Sequence, residues 1–373
     1  MDHLPGQKDD RKLRILVAPL DWGLGHATRC IPVIYELIRQ EVDVWIAGSG
    51  AQEELLRSEF PNLPFLGLKG YRVNLSRSKK GLWKTLLFQL PRLLKTVRME
   101  HKWLGEQVAE HGFDAVISDN RFGLHHASIP SVFITHQLRL RSPMGKWTEG
   151  FFQRKNYQFI NRFTQCWIPD MPGEDNLAGD LSHPQQKPVT PIHYIGVLSR
   201  FKKMGLPVIQ HRIFVTLSGP EPQRSLLENK LIDEISHYGG TAVIVRGLPA
   251  EANIIPSSND IRFYNHLSTV EFNKEMEQAS VIISRSGYST VMDLARLEKK
   301  AIMIPTPGQS EQEYLGGYLA AKKMITVKGQ DEFHLNAALA EVGLLEPRFP
   351  ATDAGALTSV IGTFLKTLEK KRS

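Results

Sequence analysis

Cysteine is almost missing from this 373-residue chain; the two present, Cys30 and Cys166, lie far apart. With no C-x-x-C pair, a disulfide scaffold and a cysteine metal site are excluded, and a reducing compartment is expected. No run of about 18 apolar residues occurs, so no membrane-spanning helix is expected. The start, Met1 to Arg14, is polar and charged. It lacks the apolar core of a secretory signal, and a cytoplasmic location follows. Low-complexity tracts are absent as well, and the composition, 42% hydrophobic and 23% charged, is that of a globular protein.

At roughly 100–200 residues per domain, two domains are the natural reading. The net charge of +7 is unevenly spread. Lys69 to Lys102 holds ten basic residues opposed only by Glu100, which predicts one basic surface on the first half.

The element pattern predicts an α/β fold with two Rossmann-like domains. Leu13–Pro19 is an apolar run suited to a strand buried on both faces of a parallel sheet. A glycine turn follows at Asp21–His26, then a helix over Ala27–Gln40 with Ile31, Ile34, Tyr35 and Ile38 on one face. Strands are expected at Val42–Ala47, Pro64–Leu68, Ala115–Ser118 and Ser131–Thr135, with Gln165–Pro169 the last of this half. Alternation with helices implies βαβ units. Met171–Pro191 reads as irregular surface structure, Ile192–Gly196 as a short strand and Val197–Val208 as the linker. A second series has strands at Arg212–Leu217, Thr241–Arg246, Ile261–Tyr264, Val281–Ser284 and Ala301–Ile304, and a helix at Ser225–His237. Ala356–Leu368 is a terminal helix with a basic tail. The domains expected are 1–200, 201–355 and a terminal segment, 356–373.

Three motifs carry chemistry, each after a strand and before a helix. In an open parallel sheet, ligands bind at the carboxyl ends of the strands. In Gly23-Leu24-Gly25-His26-Ala27-Thr28-Arg29, Gly23 and Gly25 let the backbone approach a ligand, and the helix start offers N–H groups to an anion. His26 at that turn can take a proton from a hydroxyl or water, or it can merely cap the helix. A full G-x-G-x-x-G is missing, which weakens a dinucleotide reading. In Arg285-Ser286-Gly287-Tyr288-Ser289-Thr290, small hydroxyl residues at a helix start make a nest for pyrophosphate, and Asp293 can accept both hydroxyls of a ribose. The competing reading is helix capping, with Asp293 favourable to the dipole. The third, Ile304 to Tyr314, is a Pro-Gly turn presenting Gln309 and Gln312, or a plain surface loop.

In this order the motifs resemble the GT-B nucleotide-sugar enzymes, in particular glycosyltransferase family 28, which includes a peptidoglycan N-acetylglucosaminyltransferase acting on a lipid-linked acceptor. The resemblance is good over about Phe263–Lys323 and weaker over Leu13–Gln40. It implies that Ser286, Gly287, Ser289 and Thr290, with Arg285, hold the donor diphosphate. Asp293 stands where the family has a ribose-binding Glu, the base rests near Leu267, and Arg200 lies by the phosphates. Gln312 matches the sugar-contacting loop, where Ser310, Gly316 and Gly317 replace the family's Asp, Asn and Ala. Ser218, Gly219 and Arg224, in the turn after the first strand of the second half, complete the expected donor contacts, and Asp119 is the preferred auxiliary catalytic residue among Asp119, His125, His126 and His136, which lie near predicted strand ends. The string G-x-G-H-x-x-R also resembles a nucleotide-sugar hydrolase of pseudaminic acid synthesis.

The implied activity is transfer of a sugar from a nucleotide-diphosphate donor, a UDP-sugar in the first instance, to an acceptor hydroxyl. A hydrolase or epimerase on the same fold and a non-catalytic nucleotide-sugar or lipid-binding protein are the alternatives. No D-x-D sequence occurs, and no metal or cofactor is expected. Within Gly81–Trp103, Trp83 and Leu87 alternate with Lys84 and Arg92. Such a face can lie in an anionic lipid interface or dock a lipid-linked acceptor. It can equally pack on its own sheet. Pro91 is expected to kink or split a helix here. Nucleic acid is not expected as a partner, since no RRM, KH or helix-turn-helix pattern occurs.

Overall fold

The structure, a computed structural model, describes residues 11–71, 79–141, 146–249, 251–352 and 355–372. Two parallel sheets form the frame. The first runs through β1 (Arg14–Pro19), β2 (Asp43–Gly48), β3 (Phe65–Gly67), β4 (Ala115–Asp119), β5 (Ser131–Ile134), β6 (Gln165–Ile168) and β7 (Ile192–Tyr194), in the spatial order β3-β2-β1-β4-β5-β6-β7. The second contains β8 (Ile209–Thr216), β9 (Thr241–Val245), β10 (Ile261–Tyr264), β11 (Ala279–Ser284), β12 (Ala301–Met303) and β13 (Thr326–Val327), in the order β10-β9-β8-β11-β12-β13. In both sheets the order reverses direction beside the first strand. Loops after β1 and β4 in one domain, and after β8 and β11 in the other, therefore flank a crevice.

Apolar residues explain the strands. Ile15, Leu16, Val17 and Ala18 of β1 are fully buried, as a central parallel strand requires. Helices α1 (Leu24–Arg39), α2 (Ala51–Glu59), α3 (Lys79–His111) and α4 (Lys146–Ile160) belong to the first domain, and α5 (Gln223–Ser236), α6 (Thr269–Gln278), α7 (Tyr288–Leu297), α8 (Ser310–Ala321) and α9 (Leu335–Gly343) to the second. The last helix, α10 (Ala356–Arg372), returns to the first. Phe364 meets Trp167 edge to face at 5.5 Å, and Arg372 pairs with Asp114 at 2.6 Å. The expected basic tail is thus part of a helix that fastens the two domains.

Other expectations need correction. Helix α1 buries Ala27, Cys30, Ile31, Val33, Ile34 and Leu37, whereas Tyr35 and Ile38 point outward. Its inner face is turned because Arg29 and Glu36 are buried with partners of their own. The first sheet ends with β7, not β6. The Met171–Pro191 segment is surface only in part: Asn176, Leu177, Ala178 and Ser182 are buried. It packs on α8, where the Tyr318 hydroxyl donates to Asn176 Oδ1 at 2.9 Å and a Cβ on Gly179 would lie 2.4 Å from the Tyr314 hydroxyl. Pro91 neither ends nor splits α3. Beyond it, Val97, Glu100 and Leu104 are buried at helical spacing, and this packing holds the helix.

Candidate functional site

The site begins with the turn out of β1. Gly23 has φ +77°, a conformation that L side chains rarely adopt, and it swings the chain directly into α1. His26 consequently lies in the first helical turn, with Arg29 one turn on along the same face. Asp119, at the end of β4, is completely buried opposite them. His26 Nδ1 lies 3.1 Å from Asp119 Oδ1. Arg29 grips the same carboxylate with two N–H groups, Nε at 2.5 Å and Nη2. Arg29 Nη2 is also 2.7 Å from His26 Nδ1, and Nη1 is 3.3 Å from His136 Nδ1.

Burial by itself would raise the Asp119 carboxyl, but Arg29 and His26 outweigh it and hold it well below the usual carboxylate range. Burial lowers the His26 imidazole, and Arg29 lowers it further against the opposing pull of Asp119. The ring is therefore neutral near pH 7. Nδ1 can donate to Asp119 or accept from Arg29 Nη2, and in the tautomer that donates to Asp119 the Nε2 lone pair is free to accept a proton. This is the arrangement of a general base with an orienting carboxylate. Arg29 was part of the sequence signature, yet its spacing did not reveal that it lies against Asp119.

The second domain meets this group directly. The Ser289 hydroxyl donates to the Gly25 carbonyl at 2.9 Å, Tyr288 stacks on His136 at 4.1 Å, and Glu311 Oε1 is 2.7 Å from His136 Nε2. Helix α7 starts at Gly287 without a side-chain cap, as do α1 at Gly23 and α8 at Gln309. By contrast, α6 is closed by a Ser268–Glu271 capping box. First-turn N–H groups of uncapped helices are donors for an anion. The capping alternative for Ser286 and Ser289 therefore does not describe them. Ser286 Oγ donates to the Gln312 carbonyl at 2.8 Å, and Thr290 stays half-buried.

Asp293, one turn further along α7, accepts from Ser199 Oγ at 2.5 Å. Its carboxyl is pushed up to about 7 by burial, against Ser199 and Arg200. Arg200 donates to Thr269 Oγ1 at 3.2 Å, and its buried Nε has no partner among the described residues. Burial lowers its pKa. Leu267 is buried just before α6, and neighbouring His266 and Pro249 face Leu24 and Leu55 across a cavity of about 160 Å³. Ser218 and Gly219 are exposed at the end of β8.

Three of the expected contact residues make bonds within the protein. The Arg224 guanidinium is occupied by Glu221 at 2.6 Å and Glu228 at 3.0 Å, so it offers no spare charge to a diphosphate. Arg285 is buried and donates to the carbonyls of Gln223, Ile304 and Pro305 and to Gln330, tying the loop after β11 to β12 and α5. Gln312 is buried, its Oε1 accepting from the Thr306 N–H at 2.9 Å, and it braces the Pro-Gly turn.

Beside the Asp21–Trp22 loop lies a cleft of about 530 Å³ between Gly67–Tyr71 and the Arg92–Trp103 face of α3. Lys69, Arg92 and Lys95 stand on it with Leu68, Met99 and Trp103. Tyr71 anchors it, its N–H donating to Asp21 at 3.0 Å and its hydroxyl to Glu100 at 2.6 Å. Arg92 is exposed, while the side chains of Trp83, Lys84 and Leu87 lie outside the described residues. Among the described residues, no helix is long and apolar enough to cross a membrane.

Residues 256–354 match the glycosyltransferase family 28 C-terminal domain. The chain is 28% identical over 317 residues, 83% of each chain, to the UDP-N-acetylglucosamine–N-acetylmuramyl-(pentapeptide) pyrophosphoryl-undecaprenol N-acetylglucosamine transferase of Haemophilus ducreyi. In fold it is similar to the glycosyltransferase of kitacinnamycin, with a TM-score of 0.63 at 14% identity over 97% of this chain and 96% of that one. It is also similar to Acinetobacter baumannii MurG, with a TM-score of 0.53 at 14% identity over 95% and 100%.

Proposed function

We propose that this chain, a glycosyltransferase with the GT-B fold and a family 28 C-terminal domain, moves a sugar from a UDP-sugar to a hydroxyl of a lipid-linked acceptor. The observation that carries this reading is the junction of the His26–Asp119 pair with the uncapped start of α7, at the Ser289–Gly25 bond. Diphosphate at α7 would place the sugar beside His26. Helix N–H groups and Arg200 would then stabilise the charge that develops on the departing diphosphate. Asp293 would receive the ribose hydroxyls. His26 Nε2 would take the acceptor's proton as its oxygen attacks the sugar carbon.

The cleft lined by Lys69, Arg92 and Lys95 suits an acceptor with an anionic, part-apolar end. That supports a cytoplasmic protein resting on the inner membrane face through the basic start of α3. No metal takes part in this reading, so turnover should persist in EDTA.

The test is release of UDP from a panel of UDP-sugars, UDP-N-acetylglucosamine among them, with and without bacterial lipid extract. Transfer predicts release that needs the extract and moves labelled sugar into the lipid phase. Equal release without extract would make the protein a hydrolase, and binding without release would make it a sensor.

A further inference from the structure

A base must carry positive charge once it has taken a proton, and the surroundings of His26 are not self-sufficient for that. Asp119 is already covered by the two-pronged contact with Arg29, so these charges cancel. His26 is faced by Arg29 from α1, by Asp119 from β4 and by His136 from the loop after β5. The Cys30 thiol, which donates to Asp119 Oδ2 at 3.6 Å, is kept protonated by burial and adds no charge. Behind His136 stand Tyr288 of α7, stacked on its ring, and Glu311 of α8. Arg29 Nη1 points at His136 Nδ1, which leaves the ring proton on Nε2, directed at Glu311 Oε1. Glu311 is thus the surplus negative charge of the group, and it comes from the other domain. Burial would raise its carboxyl, but His136, Arg29 and His26 together hold it below the ordinary value.

We propose that Glu311 is a positioning residue supplied by the second domain, acting through His136 and Arg29 so that His26 becomes a competent base only when the two domains meet. This rests on the reading of His26 as the base. In the step itself the acceptor O–H bond breaks and its proton goes to His26 Nε2. The oxygen forms the new bond to the sugar carbon, and the old sugar–phosphate C–O electron pair leaves with the diphosphate. The buried group then passes from one net negative charge to none, so the proton is taken up without leaving an unbalanced charge.

The titration needs no substrate. Full-length protein labelled with ¹³C at histidine Cε1 is titrated by NMR, and the His26 resonance is assigned by its loss in His26→Gln. Glu311→Gln keeps the shape and a hydrogen-bond acceptor while removing the charge. It is expected to lower the His26 midpoint by roughly one pH unit, the low end for loss of a nearby opposite charge. Glu311→Asp keeps the charge and is expected to keep the midpoint. An unchanged midpoint in folded Glu311→Gln, or equal falls in both variants, would overturn the proposal. If His26→Gln still transfers sugar at the wild-type rate, the base reading itself fails, independently of what Glu311 does to the titration.

Discussion

Replacing Asp293 by asparagine should stabilise the ligand-free protein at neutral pH and leave it unchanged in acid. The carboxyl is raised from 3.8 to about 7, first by burial, with Ser199 and Arg200 only partly offsetting it. A group raised in the folded state favours folding most below its unfolded value, and this contribution is lost as pH rises through about 7. Above pH 7 the folded protein must hold a buried carboxylate. At 1.36 kcal/mol per unit, the shift corresponds to at most roughly 4 kcal/mol. Asparagine has no charge to bury, and its Oδ1 can still accept from Ser199. A gain of even 2 kcal/mol is roughly 4–8 °C for a domain of this size. Melting curves of both proteins at pH 4, 6 and 8, without nucleotide, measure it. The difference should grow with pH. A variant no more stable than wild type at pH 8, or less stable at every pH, would refute the reasoning. Stability given up at this position is what a site for paired ribose hydroxyls would require.

Arg29→Met leaves the Asp119 carboxylate buried and unpaired, so urea unfolding at pH 7.5 should show a loss of about 3–5 kcal/mol. Because Asp119 is held below its usual range, the stability it gains from Arg29 is present above about pH 4 and fades as pH falls, and the deficit should narrow in strong acid. His26→Ala should cut transfer by about 10²–10⁴ while UDP affinity stays the same. In the wild type the rate should hold below pH 6.5 before falling, because His26 titrates below that value. Gly70→Ala would place a methyl 1.9 Å from Asp21 Oδ2. Denaturation should show a cost of about 1–3 kcal/mol from overpacking, as the Asp21–Trp22 loop is pushed aside.

Much of the frame was legible because it is locally encoded. The apolar runs at β1, β4, β8 and β11 have no other reading than buried parallel strands, and the three strand–turn–helix motifs mark the crevice at their ends. His26 could be named because it opens the helix after β1, and Asp119 because it ends β4. What escaped depends on distant packing. The strand at Ile192 was legible, but its place at the edge of the first sheet, beside β6, was not. The inner face of α1 could not be read from apolar spacing, since buried Arg29 and Glu36 occupy positions that a hydrophobic pattern assigns to solvent. Arg224 pairs with Glu228 one helical turn on, a spacing the sequence does contain, whereas the bond from Arg285 to the Ile304 carbonyl joins two strand ends and cannot be read from its neighbours. His136 and Glu311 are 175 residues apart, and only the meeting of two domains brings them together.

The most direct test of a nucleotide-diphosphate site at the start of α7 is calorimetric titration of UDP, GDP, CDP and dTDP into the purified chain, beside the Asp293→Ala variant. The account predicts that UDP saturates one site per chain and that the variant loses this binding. No heat with any nucleotide in a folded protein, or equal binding by Asp293→Ala, would contradict it.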